Sequence, residues 1–534
     1  MKFNNIKPIL YTAALGCTLG LSSCIGDLDV TPIDPSVNQV FNQNEVFGKM
    51  YASLANTGQN GPAGNGDLDG IDEGTSGFFR LIWNFSELPT DEGLCSWGDV
   101  GIPELNFASW SASHNQLEGL YYRLYFGVTL SNLFLEMTEG KTDDNSIKQR
   151  AEARFLRALN YYYLMDFYGN VPFTTVVSSE KAKQIARGDL FQFIEEELLD
   201  IIDDQYDARQ APYGRADKVA TWLLLSRIYL NAEVYTGQAR WADAVEYSEK
   251  VITSGYELAD EYSELFMGDN DLNANVMKEI ILPIRQDGVL NPSYATSTFL
   301  IASTRTQGMG NYGTTEGWGG NRGRLSLAAK FFTDGVIPAG LDDVTKTTAA
   351  AGDDRAMFVN AGSYTDDKGD VVNIEFKLPI SNVNEFKEGV GVAKFTNIYS
   401  NGAPASDSKF VDMDMPFFRM AEAYLTYAEA NMRNGGDKSK SLESINSLRK
   451  RANARELTDL TLNQILDEKS REFYFEGHRR TDLVRYGYFT SSTYLWDWKG
   501  GSQAGTGVSA IYNLLPIPTS DLTANGNLTQ NPGY

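Results

Sequence analysis

Along several stretches of the chain, apolar residues return every three to four positions, which is the period of a helix with one buried face. From Asp144 to Tyr168 the repeat runs through Ala153, Leu156, Leu159, Tyr163 and Phe167, and a similar pattern spans Gln116 to Gly140. A second pair of helices is predicted from Ala216 to Ala232 and from Trp241 to Ser254, separated by the turn residues Tyr235-Thr236-Gly237-Gln238. A third joins Phe417–Arg433 to Lys438–Ala452 across Gly435-Gly436, and a helix from Leu462 to Phe475 follows, ended by Gly477. Hairpins of this kind bury their apolar faces only by stacking, as in tetratricopeptide-type solenoids.

Between the helical blocks the pattern changes. From Tyr256 to Asp414 the chain is rich in Gly, Asn, Asp, Thr and Ser, with short apolar runs such as Ile280-Ile281-Leu282-Pro283-Ile284. The segment from Asn56 to Ser113 is similarly irregular and polar. These read as loop-rich inserts holding a few short strands, and long irregular segments in a compact protein usually carry function. The predicted fold is therefore mainly α: a tetratricopeptide-like scaffold of helical hairpins with inserts at about 56–113 and 256–414.

The N-terminus reads as an export signal, with Lys2 and Lys7 ahead of an apolar run from Ile9 to Leu21 that is too short to span a bilayer stably. It ends in Leu21-Ser22-Ser23-Cys24, a bacterial lipobox-like sequence. The expected product is residues 24–534 as one domain, acylated at Cys24 after loss of the 1–23 signal. Cys17 would leave with the signal, so Cys95 is left without a disulfide partner.

A net charge of −24 opposes polyanions, so nucleic acid and polyuronate ligands are not expected. Aromatic residues make up 12% of the chain, and some fall in Gly-rich, polar segments where burial is harder.

Six ordered segments resemble the SusD/RagB family of Bacteroidetes outer-membrane lipoproteins over nearly the whole length. They are ELPTDE (Glu87–Glu92), the segment Arg154–Phe173, the segment Gly214–Gly237, FFRMAEAYLTYAEA (Phe417–Ala430), EFYFEGHRRTDLVRYG (Glu472–Gly487) and the C-terminal LPIPTSDL run with its closing NPGY. The resemblance implies a helical scaffold whose inserts bind glycan and a surface-exposed, outer-membrane location. It also implies delivery of the ligand to a SusC-like TonB-dependent transporter. Likeness to the family's starch-binding member, through Asp67–Arg80, GTTEGWGG (Gly313–Gly320) and YLWDWKGG (Tyr494–Gly501), implies starch or maltooligosaccharide.

Sugar rings present apolar C–H faces and hydroxyl rims, so a glycan site needs flat aromatic platforms beside short polar groups. Trp97, Tyr294 and Trp318 match the aromatic arc of the starch-binding member; Arg80 matches a residue that bonds sugar hydroxyls, and Asp72 is the nearby acceptor. Where that member has a further Trp two residues before the first platform this chain has Cys95, and an amide-bearing position three residues after it is Val100, which implies a shallower arc. Trp110 alternates with Phe107 as in a buried strand, and Trp496 and Trp498 read as core. Asp271, Asp412 and Asp414 match a Ca²⁺ site of the family, though GDNDLNAN (Gly268–Asn275) lacks the spacing and terminal Glu of an EF-hand.

Two other readings compete. One is a binder of a different neutral nutrient, such as a fructan or a peptide, on the same scaffold. The other is a helical glycosidase, but among 70 acidic residues no spacing singles out a catalytic pair. His114 sits in a polar stretch and His478 in EGHRR, where capping or pairing with an acid is expected; neither has a nucleophile beside it.

Overall fold

The computed structural model describes residues 41–62, 64, 66–332 and 335–534; Cys24 and the 1–23 signal lie outside them. The first helix, α1 (Gln43–Ala55), is followed by α2 (Phe78–Glu87), α3 (Asn115–Met137) and α4 (Asp144–Tyr168). Further on come α5 (Lys218–Leu230), α6 (Trp241–Ile252), α7 (Met420–Arg433), α8 (Lys438–Arg451) and α9 (Leu462–Phe473). The expected pairs α3/α4, α5/α6 and α7/α8 pack together, and α6 also lies against α7, so the two helical blocks are one. Residues 44–534 form one compact unit.

Local chemistry sets the helix starts. Asp143, Asp217 and Asp437 accept hydrogen bonds from first-turn amides of α4, α5 and α8, and Thr461 with Gln464 closes a capping box on α9. Two expectations about helices need correction. α4 is not amphipathic along its whole length: every residue from Phe155 to Tyr168 is buried, with Arg157 tied to Glu197 at 2.5 Å and Asp166 accepting from Tyr235 at 2.8 Å. Phe417 does not begin a helix, because Met415–Arg419 is a strand running directly into α7. This strand pairs antiparallel with Ile280–Ile284, the apolar run of the long insert, with Phe418 opposite Leu282; tertiary pairing there outweighs the helical periodicity.

The irregular segment 56–113 contains α2, whose residues from Phe78 to Glu87 are buried except Arg80. It also holds strand β1 (Gly93–Cys95), which pairs antiparallel with a strand of the long insert, β2 (Asn321–Gly323). Trp110 is buried as expected, 2% exposed, but in coil after the helix Ile102–Phe107 and with its indole N–H donated to Tyr534, not in a strand. Trp496 is core at 4% exposed, while Trp498 is only half-buried and donates to the Ile380 carbonyl. His478 is half-buried against Phe473 with ring centroids 4.6 Å apart and makes no capping hydrogen bond. Burial pushes its pKa down to about 4, so it is neutral.

Scaffold and insert meet in a buried charge network. Arg419, at the end of its strand, reaches Glu472 at 2.6 Å, Glu476 at 2.8 Å and Glu279 at 3.1 Å, with its guanidinium 4.1 Å above the Phe473 ring. Arg451 of α8 bonds Glu279 at 2.9 Å and also Glu472. The insert contributes Arg355, 2.8 Å from Glu468 and 3.1 Å from Glu472, and Lys394, 2.7 Å from Glu476. Burial alone would raise the Glu472 pKa; Arg451, Arg419 and Arg355 reverse that and hold it well below the carboxylate range. Removing one cation leaves buried anions without compensation. Arg419→Met is expected to cost about 3–5 kcal/mol in urea unfolding, whereas a change under about 1 kcal/mol would show that the network is not holding the fold.

Candidate functional site

The three predicted platforms come together. The β1/β2 ladder places Cys95 opposite Asn321, and one residue beyond it the Ser96 amide donates to the Gly320 carbonyl at 3.0 Å. Trp97 and Trp318 therefore leave the same end of one small sheet, with ring centroids 6.3 Å apart and planes tilted by 51°. Gly320 is required there, since a Cβ on it would stand 2.2 Å from the Trp97 ring. Tyr294 continues the row, 5.8 Å and 53° from Trp318. Beyond it lies Phe410, 5.0 Å from Tyr294, which the sequence reading did not single out.

Each ring is held. The Trp318 amide donates to the Ala302 carbonyl at 2.7 Å, and its indole N–H to Glu316 at 2.6 Å. Glu316 faces Lys409 at 3.6 Å, and that ammonium lies 5.3 Å over the Tyr294 ring. Ser293 donates to the Ala55 carbonyl at 3.0 Å, and the Arg80 amide to the Ala295 carbonyl at 3.1 Å, which fixes the segment carrying Tyr294. All three platforms keep part of their surface in solvent. A core plug would not.

The polar groups converge on the same place. A Cβ on Gly74 would lie 3.1 Å from Tyr294, 3.6 Å from the Asp72 carboxylate and 3.7 Å from Nη1 of Arg80, so Gly74 marks where the three meet. Asp72 Oδ1 is already engaged, accepting from the amide and hydroxyl of Thr75 at 3.0 and 2.9 Å. Arg80, in the first turn of α2, lies with its guanidinium 4.7 Å over the Phe299 ring. Burial pushes its pKa down to about 10, against the pull of Asp72, Cys95 and Asp99. Beside it opens a cleft of about 280 Å³, lined by Thr75, Arg80, Trp97, Asp99, Ile102, Gln116 and Trp318. Thr75, Asp99, Ile102 and Gln116 had no motif to mark them.

The acidic trio also gathers in one corner. Asp414 is buried, with Oδ1 accepting from the Gln286 amide at 2.6 Å and Oδ2 from the Tyr213 hydroxyl at 2.8 Å. Burial raises its pKa to about 7, and Asp271 adds to the rise. The Asp271 pKa is raised too, first by burial and further by Asp412, against the pull of Arg285. Asp412 accepts from the Gly288 amide at 2.9 Å, the Ser406 amide at 2.8 Å and the Tyr399 hydroxyl at 3.1 Å. Hard oxygen donors of this type suit Ca²⁺, yet among the described residues no three His, Cys, Asp or Glu side chains are arranged as a metal-ligating group.

Paired carboxylates do occur at Glu87 and Glu92, but both are fully buried, 0% and 1% exposed, and out of reach of a polymer. Each has a raised pKa, Glu87 through burial and then Glu92 beside it. His114 is the coil residue that ends its polar loop and caps α3.

A family description worded "SusD family" matches residues 303–534, and one worded "Starch-binding associating with outer membrane" matches residues 28–230. The chain is 46% identical to the "Starch-binding protein SusD" of Bacteroides thetaiotaomicron, over an alignment covering 100% of both chains. Among solved structures, surface glycan-binding protein A of Bacteroides thetaiotaomicron in complex with laminarihexaose superposes with a TM-score of 0.67 at 19% identity, covering 92% of this chain and 98% of that one. A SusD-like carbohydrate-binding protein of Bacteroides fragilis superposes at 0.68 with 18% identity, covering 91% and 98%. Those two likenesses bear on the fold alone.

Proposed function

This chain belongs to the SusD family, and on that premise we propose that it is a surface glycan-binding protein, not an enzyme, that captures starch-derived α-1,4-glucan and passes it to a SusC-like TonB-dependent transporter. The observation that carries the ligand class is the ring row. Trp97, Trp318 and Tyr294 follow one another at 6.3 and 5.8 Å, and each turns by about 50° from the last. A flat ribbon would meet one such plane well and the next poorly; a helically curved α-glucan turns with them. Arg80 supplies hydrogen-bond donors at the edge of the row, and the net charge of −24 favours an uncharged sugar.

Losing one platform should remove about 1–3 kcal/mol of stacking and burial, roughly tenfold to hundredfold in affinity. Trp97→Ala and Trp318→Ala are expected to run unretarded in amylopectin affinity gels and to melt like the parent chain. Normal retardation in both would remove the site, and retardation by another neutral glycan in place of amylopectin would change the ligand.

Asp271, Asp412 and Asp414 are proposed to hold a structural Ca²⁺ ion. The support is that burial, and after it a neighbouring carboxylate, raises the pKa of half-buried Asp271 and of buried Asp414, a cost that a divalent cation would relieve. Since a ligand bound only by the folded state stabilises it, EDTA should lower the melting temperature and Ca²⁺ restore it. Melting indifferent to both would leave three turn carboxylates and no metal.

Anchoring is assigned to Cys24, with a TonB-dependent porter as partner. Solubilised from outer membranes, the parent chain should enter the detergent phase and co-purify with such a porter, while Cys24→Ala should stay in the aqueous phase. Detergent partitioning of Cys24→Ala would overturn the anchor, and purification of the parent chain without a porter would overturn the partnership.

A further inference from the structure

We propose that Asp99 works with Arg80 as a hydroxyl-reading pair in the cleft beside Trp97, its carboxylate accepting and the guanidinium donating to neighbouring hydroxyls of a single sugar ring. This rests on the glycan-binding reading and deepens it: the rings would supply affinity, and this pair would read stereochemistry. Asp72, the acceptor expected from sequence, already holds Thr75.

Three observations support Asp99. First, Arg80 makes no side-chain hydrogen bond or ion pair among the described residues, and its Nε is buried without a partner. Arg80 lines the cleft, so a hydroxyl entering it meets donors that no protein group has taken. Second, Asp99 is exposed in the same cleft, and its carboxylate accepts no hydrogen bond among the described residues. The two side chains attract each other but form no salt bridge, so both remain free for a ligand.

Third, the loop carrying Asp99 is held in place. Gln116, itself fixed by the Asn84 amide at 2.8 Å, donates to the Val100 carbonyl at 3.4 Å. The Leu117 amide donates to Nδ1 of His114 at 3.2 Å, so the ring hydrogen sits on Nε2 and points to the Gly101 carbonyl 3.0 Å away. Burial lowers the His114 pKa, which keeps this neutral tautomer. The Ile102 amide closes the turn on the Asp99 carbonyl at 3.0 Å. An acceptor on a fixed loop pays little ordering entropy on binding.

The chemistry follows from the sugar. Neighbouring ring hydroxyls can each donate and accept, and a carboxylate and a guanidinium lining one cleft give one of them an acceptor and the next a donor. Inverting one hydroxyl breaks the match and leaves a charged group desolvated and unpaired.

Isothermal titration with maltoheptaose tests the pair in the full-length chain. Asp99→Ala is expected to lose about tenfold in affinity, the scale of a hydrogen bond to a charged group, while Asp99→Asn, which keeps an accepting oxygen, loses less. Both should melt like the parent, because the Asp99 carboxylate has no hydrogen-bond partner among the described residues. Parent-like affinity in Asp99→Ala, beside lost binding in Trp97→Ala, would overturn the pair and leave the stacking site standing. Parent-like affinity in both would remove the stacking site as well. Equal losses in Asp99→Ala and Asp99→Asn with a lowered melt would also overturn the pair, since they would make Asp99 a structural residue.

Discussion

Arg419 ends the buried strand Met415–Arg419 with Glu279, Glu472 and Glu476 around its guanidinium, and the rest of the molecule is arranged about that cluster. Helices α8 and α9 bring Arg451, Glu468 and Glu472; the long insert brings Arg355 and Lys394. Such a network gains little net stability over apolar packing, because desolvation offsets most of the Coulombic attraction. Its effect is to define one arrangement: each charge is satisfied only when scaffold and insert sit in one register, and a shift would leave several buried ions unpaired.

That requirement extends to the proposed binding surface. Arg479 holds Asp91 through two bonds of 2.7 and 2.8 Å, and Lys330 reaches the same carboxylate at 3.0 Å. Two residues later β1 begins, paired with β2, and the two tryptophans stand at the far end of that ladder. The segments ELPTDE and EGHRR are thus two halves of one buried clamp beneath the ring row. Aromatic platforms on irregular loops can stack on a sugar without large ordering costs only if the loops are fixed beforehand, and the clamp with its short sheet does that.

Much of the scaffold was legible because it rests on periodicity: α4, α6 and α8 begin where the apolar repeat places them. The strand Met415–Arg419 was not, since its apolar residues fit a helix equally well and only pairing with Ile280–Ile284 decides between them. Helix α2 was hidden for another reason: it is only 10 residues long and lies inside a Gly-rich, polar stretch, although Arg80, Asn84 and Glu87 do fall on one face. At the site, Trp97, Tyr294 and Trp318 were singled out because they lie in irregular segments and match the aromatic arc of the family's starch-binding member. Asp99, Gln116 and Phe410 did not, because their meaning comes from what folds beside them: one acidic residue among 70, one amide, one phenylalanine among 28.

In the proposed complex one glycan chain lies across three rings that the scaffold holds in a turning row. A crystal structure with maltoheptaose tests it most directly. Consecutive glucose residues should rest on Trp97, Trp318 and Tyr294, with the sugar chain curving as the ring planes do. Sugar bound elsewhere on the molecule, with those three rings bare, would contradict the account.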